Sequence, residues 1–158
     1  MKRLVTGHDQ NGKSAVVAAG MAPRGVSADN GIRIDFCWQT VAAPAPLGVR
    51  EDPALAMSTF VPATTGTTFV LVEFPGNTQS GMHATDSIDY VTVVSGEVWL
   101  VLEDGSETLL QPGDTVIQNG TQHDWHNRRT EPCLLAAVLV GAARQDEVPS
   151  SKEGKEAK

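Results

Sequence analysis

Long apolar runs are missing from this chain. A membrane-spanning helix needs about 20 consecutive apolar residues, and the longest run here, Cys133 to Ala143, is broken by Gly141 and has the length of a buried strand. Basic charge is also scarce: 12 Lys and Arg face 19 Asp and Glu, for a net charge of −7. An acidic surface with no basic cluster repels phosphate backbones and anionic leaflets, so neither nucleic acid nor a membrane surface is expected as a partner. Cysteine is limited to Cys37 and Cys133. Each lies in an apolar segment, the setting of a buried free thiol rather than of a disulfide framework. The first residues, Met1 to Thr6, lack the apolar core of a signal peptide, which makes a cytoplasmic protein the expectation. There is no phosphate-binding glycine loop, no Gly-x-Ser-x-Gly, no Cys-x-x-Cys and no internal repeat.

What is present is turn chemistry. Asn11-Gly12, Pro75-Gly76-Asn77, Asp104-Gly105, Pro112-Gly113-Asp114 and Asn119-Gly120 punctuate the chain. Asn-Gly and Asp-Gly supply the positive φ that two-residue hairpin turns require. Between them lie short runs rich in Val, Thr, Leu and aromatics, such as Thr68 to Phe74 and Val98 to Leu102, which have the composition of strands. Closely spaced strands without a helical period predict an all-β sandwich or barrel. Ile32 to Thr40 reads as a further strand, with Ile32, Ile34, Phe36 and Trp38 alternating onto one face.

With 158 residues, one domain is the natural size. Residues 67–144 carry most of the strand signal and form the expected barrel core. Residues 1–66 supply N-terminal strands and a Pro-rich connection packing on it, and the charged stretch 145–158 is the expected disordered tail. Four prolines between Val41 and Gly66 argue against a long element there. Within that stretch Asp52 is placed to cap a short helix that has Pro53 at its first position. The stretch either crosses the mouth of a pocket or is a plain surface connection.

Two stretches carry the chemistry. One runs from Gly81 through His83, Thr85, Asp86, Ser87 and Asp89 to Gly96; the other runs from Pro112-Gly113-Asp114 through Gly120, His123 and Trp125 to Asn127. Period-two alternation puts 83, 85, 87 and 89 on one strand face, and 123, 125 and 127 on one face of another. Together the stretches resemble the two motifs of the cupin family, H-x-H-x(3,4)-E-x6-G and P-G-D-x6-G-x-x-H-x-x-x-N. Pro112, Gly113, Asp114, Gly120, His123 and Asn127 supply the second motif with five residues instead of six between Asp114 and Gly120, and Gly96 closes the first. The resemblance spans Thr68 to Gly141, roughly half of the chain.

That resemblance implies a cupin-type antiparallel β-barrel or jelly roll with an N-terminal strand extension. It also implies a metal site in which His83 and His123 keep their family positions. Asp89 stands at the Glu position and Thr85 at the second His position. Two imidazoles and a carboxylate suit a divalent ion, Fe, Mn or Zn, with open positions. His83, Asp89 and His123 are therefore the candidate catalytic and metal-ligating residues, with Asp86 as an alternative carboxylate that needs a bulge to reach inward. Thr85 and Trp125 are the candidate pocket-lining residues; Trp125, in phase with His123, is either pocket wall or core. A metal-free pocket with a histidine base oriented by Asp89 is the competing reading of the same residues.

The function implied is a small metal-dependent cupin enzyme of lyase, decarboxylase, dehydratase or isomerase type acting on an oxygen-rich small molecule in the barrel. An Fe(II) dioxygenase-type cupin and a non-catalytic ligand-binding cupin are the alternatives. A homodimer is expected, because the Leu4-Val5 and Val16-Val17 runs leave an exposed sheet edge.

Overall fold

The computed structural model describes residues 1–48 and 51–144. The expectation for the stretch 145–158 lies outside the described residues. Among the described residues twelve strands form. They are β1 (Arg3–His8), β2 (Ser14–Gly20), β3 (Arg24–Ser27), β4 (Arg33–Thr40), β5 (Thr67–Phe74) and β6 (Thr78–Gln79). After these come β7 (Ser87–Ser95), β8 (Val98–Leu102), β9 (Glu107–Leu110), β10 (Thr115–Asn119), β11 (His123–Asn127) and β12 (Cys133–Gly141). Asn11-Gly12 and Asp104-Gly105 close the β1–β2 and β8–β9 hairpins, while Pro75-Gly76-Asn77, Pro112-Gly113-Asp114 and Asn119-Gly120 carry the chain from one sheet to the other. Gly12 and Gly105 take φ values of +75° and +81° between β1 and β2 and between β8 and β9. Among the described residues no helix is long and apolar enough to cross a membrane.

The strands assemble into two antiparallel sheets and a separate hairpin. One sheet has six strands in the order β10-β7-β12-β5-β4-β3, and the other has four in the order β6-β11-β8-β9. β7 and β12 are hydrogen-bonded neighbours in the larger sheet, and their alternation turns apolar residues inward from both. Val91 and Val93 on the first, and Leu135, Ala137 and Leu139 on the second, turn into a core shared with Val98, Leu110 and Trp125 of the smaller sheet. This is the all-β barrel expected, built as two facing sheets.

The large sheet does not begin at residue 67. β3 and β4 extend it, and Ile32 and Phe36 belong to its core, so a boundary at 66/67 cuts between hydrogen-bonded neighbours. The expected alternation along β4 holds for Ile32, Ile34 and Phe36 and then breaks. A register shift between Phe36 and Trp38 makes Cys37 an extra residue, a β-bulge. Trp38 therefore pairs with Phe69 on the outer face instead of joining the core. On that outer face Ile117, Tyr90, Val138, Phe69 and Trp38 stand side by side across five strands.

The Pro-rich connection is more than a surface strap. Asp52 caps a single 3-10 turn, Pro53–Ala56, by accepting from the Ala54 N–H at 3.0 Å. Ala54 and Met57 then bury completely against the core. Arg3 of the hairpin donates to Asp52 and, at 2.8 Å, to the Cys37 carbonyl, so one guanidinium ties the hairpin to the bulge and to the connection. Both cysteines are buried free thiols, as expected.

Asn127, the last residue of the second motif, is structural. Its side-chain amide donates to the carbonyls of Phe74, Pro75 and Glu131, and its oxygen accepts from the Arg129 N–H. The loops it joins approach so closely that a Cβ on Gly76 would stand 2.2 Å from the Thr130 carbonyl oxygen.

Two outcomes follow for stability. Asn127→Ala strands several buried backbone groups and is expected to cost about 3 kcal/mol, read as a lower urea midpoint at unchanged slope. The second concerns acid. The hydrogen bond from Arg3 holds the Asp52 carboxyl below the usual carboxylate range. A depressed folded-state value gives stability that is fully present above the ordinary carboxylate range near pH 4 and is lost as pH falls through the lower folded value. Amide exchange in β1 and β2 is therefore expected to accelerate below pH 4 in the native protein. Asp52→Asn should show that fast exchange already at neutral pH.

Candidate functional site

A cavity of about 320 Å³ lies between the two sheets. Val70, Val72 and Phe74 of β5 and Leu135, Ala137 and Leu139 of β12 form much of its wall. Phe60 of the Pro-rich connection adds to it, and the cavity reaches the surface beside Ala28 and Asn30, which are exposed. The connection thus contributes to the pocket as well as to the core. His83, Thr85, Asp89, His123 and Trp125 all line this one cavity.

The route by which they arrive differs from the simple alternation. His83 and Asp89 do not share a strand. His83 forms an isolated bridge with His123 of the smaller sheet, each N–H donating to the other's carbonyl at 2.9 Å. The chain then crosses through Ala84 to Asp86 and enters β7 of the larger sheet at Ser87. Residues directly opposite in an antiparallel pair turn to the same side. The bridge therefore sets the two imidazoles together, with ring centroids 4.4 Å apart, and Trp125 meets His123 edge-on at 5.8 Å.

Each imidazole has its tautomer fixed by the backbone. His83 Nδ1 lies 2.8 Å from the Gly81 carbonyl and His123 Nδ1 lies 2.9 Å from the Thr121 carbonyl. A carbonyl only accepts, so Nδ1 carries a proton in both rings, and in the neutral tautomer the lone pair is on Nε2. Among the described residues no fully buried side-chain N or O lacks a partner. The two Nε2 atoms, which have no protein partner, are accordingly open to the cavity. Burial pushes the His123 imidazolium down from its ordinary value, outweighing the Thr121 carbonyl, so the ring is neutral at pH 7.

Asp89 sits on the facing sheet at 7% exposure. Ser87 Oγ donates to its Oδ1 at 2.6 Å, and Thr85 Oγ1 lies 2.7 Å from Ser87 Oγ and 3.5 Å from Asp89 Oδ2. Ser87 is within reach of both Thr85 Oγ1 and Asp89 Oδ1, and Thr85 Oγ1 donates to Asp89 Oδ2, so the two hydroxyls converge on one carboxyl. Burial raises the Asp89 carboxyl above the ordinary range, and the serine bond and the two imidazoles reduce that rise without cancelling it. Asp86 is elsewhere: it is exposed and pairs with Arg144 at 2.5 Å.

These donors bear on the metal that the family motifs imply. The chemistry of the set suits a divalent ion, with two imidazole Nε2 atoms and one carboxylate. The spacing does not. Among the described residues no three His, Cys, Asp or Glu side chains converge as a metal-holding group. Thr85, at the position of the missing histidine, is engaged with Ser87 instead of offering a third nitrogen.

Two further residues position the site and were not singled out from the sequence. Asp124 Oδ1 accepts from Ser80 Oγ at 2.8 Å and from the Gly81 N–H at 2.9 Å, and Oδ2 pairs with His126 at 2.9 Å. This holds the loop whose Gly81 carbonyl orients His83. The signal available was the i, i+2 pair Asp124 and His126 on the face opposite His123. Ser87 was legible in the same way, two residues from Asp89. Burial pushes the Asp124 carboxyl up, but hydrogen bonds from His126, Ser80 and Gly81 more than offset this and hold it below the usual range. Cys133 offers no nucleophile, since burial pushes its thiol up to about 11. Asp124→Ala is expected to cost about 2 kcal/mol, as for a buried hydrogen bond to a charged group. It should also speed amide exchange at His83 and His123 while leaving β12 protected, as read by NMR.

The chain compares with known proteins as follows. The sequence profile of the cupin domain matches residues 70–140. Over 136 residues the chain is 32% identical to phomopsin biosynthesis cluster protein D of Diaporthe leptostromiformis, spanning 80% of this chain and 70% of that one. Over 145 residues it is 29% identical to the cupin-domain-containing oxidoreductase fogC of Aspergillus ruber, spanning 87% and 71%. A solved Cupin 2 conserved barrel domain protein from Salinispora arenicola aligns with 72% of this chain and 79% of its own, at 19% identity and a TM-score of 0.49. The profile falls on the strands that carry both motifs, and the sequence likeness covers 80% of the chain at 32% identity: the chain belongs to the cupin family.

Proposed function

We propose that this cupin is an enzyme that moves a proton on a small molecule held in the barrel cavity. His123 and His83 serve as bases and Asp89 as their acid partner. The observation that carries this reading is the pair of imidazole Nε2 atoms, each freed by an Nδ1 bond to a backbone carbonyl. A neutral imidazole with an available lone pair is a competent general base at pH 7. A carboxyl raised by burial, as at Asp89, is the complementary donor, and environments that push two groups in opposite directions mark an acid and a base. The reaction class is isomerisation or dehydration. A proton beside a carbonyl leaves to an imidazole, and one returns to a neighbouring atom from the acid; neither needs an added oxidant.

The same paired Nε2 atoms favour a second reading, in which a divalent ion, Fe, Mn or Zn, is held by the two imidazoles and draws in Asp89, which does not converge on them as it stands. Relatives that carry the name oxidoreductase accord with it. The two readings separate on purification without chelator or nickel resin, followed by elemental analysis. Stoichiometric metal that is stripped by His123→Ala supports the ion. For the proton-transfer reading, incubation with benzylacetone in heavy water is expected to give protein-dependent deuterium exchange beside the carbonyl. His123→Ala should slow that exchange by about 100-fold or more. Exchange by metal-free protein excludes the ion as the essential group, and wild-type protein without exchange overturns the proton-transfer reading.

A further inference from the structure

The cavity wall is specific about charge and about how many polar atoms it can meet. None of its described lining residues is Lys or Arg, and its ionisable members are His83, His123 and Asp89. An anionic ligand would therefore enter a cavity that holds an acidic side chain and no fixed cation, inside a chain of net charge −7. Burying an unpaired charge costs several kcal/mol. Carboxylates and phosphates are disfavoured on this ground alone.

Polar partners are few for a second reason. Two other polar side chains line the wall, Ser80 and Asn30, and both are engaged. Ser80 Oγ donates to Asp124 and accepts from the Trp125 N–H. Asn30 donates to the Gln79 carbonyl and accepts from the Ile32 N–H. What remains for a ligand is the one group formed by the two Nε2 atoms, Thr85 and Asp89, with the indole N–H of Trp125, which has no protein partner among the described residues and whose ring meets His123 edge-on. Everything else it meets is aliphatic or aromatic. Each ligand hydroxyl buried against that wall without a partner loses about tenfold or more in affinity.

We propose that the cavity takes a neutral ligand with an apolar body and a single oxygen-bearing head, such as a hydroxyl or carbonyl on an alkylated ring, and rejects carboxylates, phosphates and polyols. The inference rests on this cavity being the substrate site of the enzyme proposed above. It replaces the oxygen-rich molecule that the family motifs led one to expect, because the wall offers one polar group instead of several. A volume of about 320 Å³ is at the small end of the range that encloses drug-sized ligands, which sets the body at one ring with a short chain.

The test is a calorimetric series on the full chain with para-cresol, para-ethylphenol, para-propylphenol, para-propylbenzoate and myo-inositol. Affinity is expected to rise about fourfold for each added methylene along the phenols, the value of burying one CH₂. Para-propylbenzoate should bind at least tenfold more weakly than para-propylphenol, and myo-inositol not at all at millimolar concentration. Phe60 is half-buried on the connection, so Phe60→Ala should keep the fold and weaken para-propylphenol more than para-cresol. Thr85→Val should weaken all three phenols by a similar factor. Equal affinity for the phenol and the benzoate, binding of inositol, a flat phenol series, or no phenol binding overturns the inference. Binding does not depend on turnover. Phenol selectivity without deuterium exchange sinks the enzyme reading alone, and exchange with reversed selectivity sinks the ligand class alone.

Discussion

The paired backbone hydrogen bonds between His83 and His123 hold the chain at the point where it leaves one sheet for the other. Both sheets depend on that crossing. Without it β7 has no fixed entry into the larger sheet, and the loop from Ser80 to Asp86 has nothing to define its path. The bonds are backbone to backbone, so they would form with other side chains at these positions. What the histidines add is a pair of rings forced into contact, with their protons committed to nearby carbonyls. Architecture and chemistry thus share two residues but use different atoms of them.

A dry interior places a second demand on the sequence. A buried carboxylate is tolerated only where donors converge on it. Asp89 meets that demand through Ser87 and Thr85, yet burial still raises its carboxyl. Asp124 is nearly as enclosed but receives a backbone N–H, a hydroxyl and an imidazole, and its carboxyl is lowered. Two aspartates in one barrel are therefore sent in opposite directions by the number of donors around them. The well-supplied one holds a loop; the under-supplied one faces the cavity, where its remaining acceptor capacity is free to meet a ligand.

The turns, the strands and the five cavity residues were legible in the sequence because each rests on local chemistry. Asn-Gly and Asp-Gly fix hairpins, and the two motifs fall on the strands that bear the site. The alternation that grouped 83 with 89 reached the right cavity by the wrong path. Period two assumes an unbroken strand, and the crossing at Ala84 to Asp86 is a long-range event with no local signature. Trp38 failed for the same kind of reason, since a bulge is decided by pairing with β5 and not by β4 alone. The roles of Asp124 and Ser80 were hidden because their partners lie more than 40 positions apart in the chain.

The bulge at Cys37 has a consequence for how this fold tolerates lengthening and shortening. Removing that one residue would restore strict alternation along β4 while leaving Phe36 opposite Val70 and Trp38 opposite Phe69, so neither face would change. What would go is the Cys37 carbonyl that accepts from Arg3. A single-codon deletion would thereby loosen the seat of the β1–β2 hairpin with every cavity-lining residue left in place, so the extra residue serves the attachment of that hairpin and not the inward face of β4.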